Sequence, residues 1–254
     1  MGFVVSDNGH VTVDHTTHSY GKTSVKHNYT MAKTKCKPNP LRIFSIFLRH
    51  GYKGSGKVKG DNCPFIYGAK GKRGLYVTYA SVKQLCLPMR EILDKFVREQ
   101  KKLGIEYDIV IPMPSSHSIS TIVAKRVAKA LGSELTLETF RKANAQDIRQ
   151  QINTKPIPHN AKVEIATAIA KAEKEDRNFS LSDVTTQHRN HLTPLELQKH
   201  LPNVNRVLLV DDLCASGTTL VSAKDMLMEM NPNLVVEALC LFSPHDGKIK
   251  NRKG

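Results

Sequence analysis

The chain has 254 residues, 40% of them hydrophobic and 24% charged, and 38 Lys and Arg against 23 Asp and Glu give it a net charge of +15. That length buries a sizeable core without disulfide or metal staples, and the composition excludes a disordered chain. With no stretch near 18 apolar residues, no signal-like order in MGFVVSDNGH and five scattered cysteines without a CxxC pair, the sequence predicts a cytoplasmic protein with no membrane span, disulfide framework or zinc ribbon.

The basic excess favours a polyanionic partner, nucleic acid or a phosphorylated small molecule. Most of it falls early, because residues 1–73 hold 13 Lys and Arg but 3 Asp and Glu. GYKGSGKVKGD (51–61) and GAKGKRG (68–74) are Gly-rich and basic without the GxxxxGK[ST] spacing of a phosphate loop. This region reads either as a solvated surface or as a rim that draws nucleic acid or phosphate to a site. Phe44, Phe47, Tyr52, Phe65, Tyr67, Tyr76 and Tyr79 suit base stacking or core packing equally. His10, His15, His18 and His27 with Cys36 supply metal-ligand types, but no spacing fixes their geometry.

Regular structure follows. LPMREILDKFVREQKK (87–102) predicts an amphipathic helix with Pro88 in its first turn. YDIVIP (107–112) reads as a buried strand, SISTIVAKRVAKALG (118–132) as a helix stopped by Gly132, and ELTLETF (134–140) as a second strand. Strand, helix and strand at this distance form a βαβ unit and imply a parallel sheet. Within the polar stretch 141–200, AKVEIATAIAKAEK (161–174) is a helix, and TPLE (193–196) has the order of a helix cap. RVLLV (206–210) predicts a strand, a helix then runs to about Met230 with Leu220, Ala223, Leu227 and Met230 inward, and LVVEALCLF (234–242) is the next buried strand. The expected organisation is a basic N-terminal extension or hood over 1–84, a core over 85–245 with a long polar excursion at 141–200, and a basic tail at 246–254.

The strongest signal is VLLVDDLCASGTTL (207–220). Four apolar residues set Asp211 and Asp212 at the carboxyl end of a strand, where open parallel sheets bind ligands. Ala215, Ser216, Gly217, Thr218 and Thr219 then supply a glycine, hydroxyls and backbone N–H groups at a helix N-terminus, a cradle for phosphate. One sugar phosphate fits both features, its ribose hydroxyls on the acids and its 5-phosphate in the loop. A capped helix with surface acids is the plainer alternative.

These residues resemble the phosphoribosyl-diphosphate (PRPP) motif of type I phosphoribosyltransferases. IVIPMPSSHS (109–118) resembles the PxP element after the first core strand in the ComF-like branch, and FRKANAQDIRQ (140–150) loosely resembles that branch's basic stretch. The resemblance implies an α/β fold with a mostly parallel central sheet and helices on both faces. It implies a Mg²⁺-dependent enzyme that transfers the 5-phosphoribosyl group from PRPP to a nitrogenous base or related acceptor, releasing pyrophosphate. Asp211 and Asp212 would hold the ribose hydroxyls near the developing cation. Ala215, Ser216, Gly217, Thr218 and Thr219 would grip the 5-phosphate, and Ser115 and Ser116 would receive pyrophosphate with Arg141 and Lys142 in support. Magnesium would arrive mainly through PRPP, with Asp211 or Asp212 as its protein ligand. The resemblance also admits a homodimer, a nucleic-acid contact through residues 1–73, and a non-enzymatic sensor of PRPP or nucleotide. A different α/β phosphate hydrolase is the remaining alternative.

Overall fold

The computed structural model describes residues 1–17, 19–22, 28–34, 40–49, 63–115, 117–176, 179–185, 187–201 and 203–244. His18, His27, Cys36, Tyr52, Lys53, Lys57, Lys59, Ser116 and the tail 246–254 lie outside them. In chain order the strands and helices are β1 (Gly2–Val5), β2 (His10–Asp14), β3 (Gly21–Lys22), β4 (Thr30–Lys33), β5 (Arg42–Arg49), α1 (Pro64–Ala69), β6 (Tyr76–Val77) and α2 (Tyr79–Lys102). Then come β7 (Ile109–Pro112), α3 (Ile119–Leu131), β8 (Glu134–Leu135), β9 (Phe140–Lys142), α4 (Ala145–Thr154) and α5 (His159–Lys174). The chain closes with β10 (Leu195–Leu197), β11 (Arg206–Leu213), α6 (Thr218–Met230) and β12 (Val235–Ser243).

Five parallel strands make the centre, in the order β5-β12-β11-β7-β8, and β3 and β4 add antiparallel to β5. Side-chain alternation gives the sheet two apolar faces. Val110, Leu208, Val210 and Leu239 pack with Leu85, Ile92, Phe96 and Val127 of α2 and α3 on one face. Ile109, Ile111, Val207 and Leu209 pack with Leu220, Ala223 and Leu227 of α6 on the other. The expected α/β architecture, with helices on both faces, is thus the observed one.

Several elements differ from expectation. No break in the sheet falls at residue 84: RIFSIFLR, inside the segment read as an extension, is strand β5, bonded to β12 through six residue pairs from Arg42 to Leu48. It is buried from Ile43 to Leu48, so it carries a continuous apolar run and lacks alternation. Helix α2 starts eight residues earlier than expected because Thr78 caps it, accepting a hydrogen bond from Ser81 N at 3.3 Å, and Pro88 sits inside the helix. ELTLETF is two strands in two sheets, divided where Glu138 takes φ +57°. TPLE caps no helix; Leu195, Glu196 and Leu197 pair antiparallel with Lys142, Arg141 and Phe140. Met230, at the last turn of α6, is exposed.

Two smaller units flank the sheet. The hairpin β1–β2, extended by β6, joins α1 against the α2 face. Between β9 and β10 the chain forms a helical insertion with a core of its own, built on Ile148, Ile152, Ile165, Ile169, Val184 and Leu192.

Candidate active site

Strand β11 is buried over Val207–Val210 and delivers Asp211 and Asp212 to the carboxyl end of the parallel sheet. Asp211 Oδ1 accepts from the backbone N–H of Asp212 at 2.8 Å. Burial first, and then the neighbouring Asp212 charge, pushes Asp211 up to about 7. Asp212 is only 3% exposed, so it lies deeper than a cleft-wall acid. Its buried Oδ2 has no hydroxyl or backbone N–H on it among the described residues and is met instead by the Lys70 ammonium at 2.5 Å.

The turn after the acids is fixed from below. Cys214 N donates to Phe242 O at 2.9 Å, and its buried free thiol hydrogen-bonds with that of Cys240, whose pKa is raised by that hydrogen bond and by burial. Ala215 and Ser216 are then exposed. Ser216 Oγ lies 2.9 Å from Thr218 Oγ1 and accepts from Thr218 N at 3.4 Å. Gly217 takes φ +77° as the N-cap of α6, a conformation that glycine adopts without a Cβ penalty. Gly217 has no side chain to cap α6, and apart from Thr218 N, which Ser216 Oγ engages, the N–H groups of its first turn have no side-chain acceptor among the described residues.

The other expected residues divide. Lys142, at the end of β9, faces this cluster: burial, followed by repulsion from Lys70, pulls its ammonium below the ordinary range while Asp211 and Asp212 oppose the shift. Arg141 is not gathered into the site. It forms a two-pronged ion pair with Asp147, one arm at 2.9 Å, and Asp147 completes the capping box of α4 with Asn144. Ser115 follows β7, and its Oγ accepts from His117 N at 3.4 Å. Ser116 lies outside the described residues.

A cleft of about 370 Å³ opens beside the turn, lined by Lys72, Lys142, Ala143, Ile148, Phe179, Ser180, Leu181, Pro194 and Thr219. The helical insertion therefore walls a space that reaches Thr219 in the first turn of α6. In the sequence, Lys70 and Lys72 belong only to a diffuse basic rim. The GAKGKRG segment signals charge, but no spacing relates residue 70 to residue 212.

The arrangement suits a sugar phosphate chemically: two carboxylates to accept hydroxyl protons, an N–H-rich turn for an anion, and lysines between. It also suits a cation, because the buried Asp212 Oδ2 already holds one in Lys70. No group of three His, Cys, Asp or Glu placed to hold a metal gathers among the described residues. His10 of the early histidine set stacks on Tyr76, with centroids 5.0 Å apart.

Residues 118–254 match the family model for the phosphoribosyl transferase domain. The chain belongs to this family. The phosphoribosyl transferase domain includes β11, the turn, α6 and the insertion, and supports an enzymatic role of phosphoribosyltransferase type; β5, α1 and β7 lie before it. The crystal structure of TT1426 from Thermus thermophilus is similar at 18% identity over 62% of this chain and 84% of that one, with a TM-score of 0.32. No match was found among curated proteins. No helix among the described residues is long and apolar enough to cross a membrane.

Proposed function

We propose that the protein transfers the 5-phosphoribosyl group of PRPP to a nitrogen acceptor and releases pyrophosphate. The observation that carries this reading is the acid pair and phosphate turn together on one strand-to-helix junction, in a chain of the phosphoribosyl transferase domain family. Asp211 and Asp212 accept hydrogen bonds from the ribose hydroxyls and stabilise positive charge growing on the ring as the C1–O bond opens. Ser216, Gly217, Thr218 and Thr219, with the preceding Ala215 exposed, hold the 5-phosphate at the head of α6. Ser115 and Ser116, following β7, and Lys142 serve the departing pyrophosphate. Arg141 acts through Asp147 as a support of the insertion. When bound, Mg²⁺ supplies charge neutralisation to the pyrophosphate, and Asp211 and Asp212 are the residues that would hold it.

The acceptor enters the cleft beneath the insertion, which shields C1 from water when occupied. Lys72 and Lys142 on its wall favour an anionic acceptor. The organisation that follows is a core continuous from β5 to β12, with the N-terminal hairpin and the insertion as two partial covers. Within the family, the PMPSS run favours the ComF-like branch on sequence grounds.

Pyrophosphate release from PRPP, measured over a panel of bases and carboxylated or phosphorylated amines with Mg²⁺, tests the reading. Turnover with one acceptor supports it. PRPP binding without pyrophosphate release for any acceptor favours a ligand-sensing protein, and absence of PRPP binding defeats both.

A further inference from the structure

Lys70 is placed by a part of the chain that the family match does not reach. It is the C-cap residue of α1, its backbone N–H bonded to Ile66 O at 3.1 Å and Tyr67 O at 3.2 Å. The backbone beneath it is fixed by close packing: a Cβ at Gly68 would stand 3.1 Å from both the Tyr76 backbone and a Val77 methyl. From this anchor the side chain crosses to β11 and sets its ammonium 2.5 Å from Asp212 Oδ2, with the lysine 16% and the aspartate 5% exposed at their side chains. No hydroxyl or backbone N–H among the described residues competes for that oxygen.

The charge count matters as much as the contact. Lys70 is in contact with Asp212, and Lys70 and Lys142 also act on Asp211 from further off, so the protein's own cations already offset part of the pair's charge. A divalent ion approaching the pair meets the Lys70 charge on Asp212 while the lysine remains in place. A lysine is suited to leave, being a compact charge on a flexible four-carbon stem that can swing to solvent without movement of its backbone.

We propose that Lys70 is a built-in counter-ion of the acid pair, seated on Asp212 and exchanged for a divalent cation when the site is loaded. The α1 segment thereby gates the pair: the acids are neutralised and held apart from stray cations until the incoming ion displaces the lysine. This rests on the reading of Asp211 and Asp212 as ligand-facing groups.

The test uses Mn²⁺ alone, so it stands apart from PRPP turnover. In titrations followed by electron paramagnetic resonance, Lys70→Met should bind Mn²⁺ about tenfold more tightly than the parent. Lys72→Met removes the same charge from the cleft wall and should change affinity by less than about threefold, the screened long-range part. The double variant Lys70→Met/Asp212→Asn should lose the gain. Equal affinity in parent and Lys70→Met overturns the proposal, as does an equal gain from Lys72→Met. A measurement on the unaltered protein guards against a misfolded variant: saturating Mn²⁺ should raise acetic anhydride labelling of Lys70, read by mass spectrometry. Labelling unchanged by Mn²⁺ places the lysine permanently on Asp212 and overturns the exchange.

Discussion

Gly217 holds φ +77° where the turn meets α6, so its replacement acts on the backbone before it acts on any ligand. Gly217→Val forces a β-branched residue into the left-handed region, at a cost of about 1–3 kcal/mol in stability. It should also reorient the N–H groups proposed to face phosphate. Calorimetry should therefore find ribose 5-phosphate and PRPP both weakened, with a lowered melting temperature. The acid pair behaves differently. Asp211→Asn/Asp212→Asn leaves the turn intact, so inorganic phosphate binding should survive while PRPP binding falls. That variant does not leave the fold untouched, because Lys70 then lacks its partner in a nearly buried place. A loss of up to about 3 kcal/mol is expected, the lower end for breaking a buried pair. Unchanged PRPP affinity in the double variant would remove the acids from the ribose site. The motif was readable because four buried residues, two acids and a hydroxyl-rich turn are local in sequence. The depth of Asp212 was not readable, since its partner is Lys70, which arrives from a different layer.

At the scale of elements, the helical insertion is an independently cored unit pinned by carboxylates. Asp147 accepts from Arg141 and from Asn144 N at 2.7 Å, and the arginine first, then that backbone bond, hold its pKa below the ordinary range against burial. Glu164 accepts from Thr185 N at 2.6 Å and from the His188 ring, and is lowered chiefly by the Thr185 backbone bond. A folded pKa below the unfolded one gives stability that is present above the unfolded value and lost as pH falls through the folded value. The insertion should therefore loosen below about pH 4, with hydrogen exchange in α4 and α5 accelerating before exchange in β11 and β12. Asp147→Asn should remove part of this dependence and cost about 1 kcal/mol, the worth of a cap. Coincident exchange of insertion and sheet at all pH values would reject the separation. The sequence made α5 legible through its apolar period over 161–174. It hid the neck, because β9 and β10 are three residues each and acquire strand character only by pairing with one another.

Across the whole molecule, the parallel sheet is locked at the end opposite the acids by one buried carboxylate. Glu237 of β12 is 3% exposed and meets Arg42 of β5 at 2.8 Å, Arg206 of β11 at 3.0 Å and the Tyr107 hydroxyl, just before β7, at 2.8 Å. Four consecutive positions in the sheet order thus converge on a single side chain, and the Tyr107 hydroxyl is pushed well above its usual range by burial and by the Glu237 charge. Nothing in the sequence links residues 42, 107, 206 and 237; only the strand order brings them together. That same order placed β5 beside β12, the feature least visible in a chain whose early segment reads as a basic surface. Glu237→Gln keeps the shape but removes the counter-charge of two guanidinium groups, while Glu237→Ala also leaves the Tyr107 hydroxyl without its acceptor. Both arginines retain partial contact with water, so the loss for Glu237→Ala should fall near about 3 kcal/mol and that for Glu237→Gln should be smaller. Because the network lies at the far end of β11 from Asp211, neither variant should alter PRPP affinity measured well below its melting temperature. Urea unfolding with a parallel PRPP titration checks both halves. An undiminished unfolding midpoint in Glu237→Ala would show that packing alone sets the strand register, and the carboxylate would then be a tenant of the sheet's end without a part in holding it.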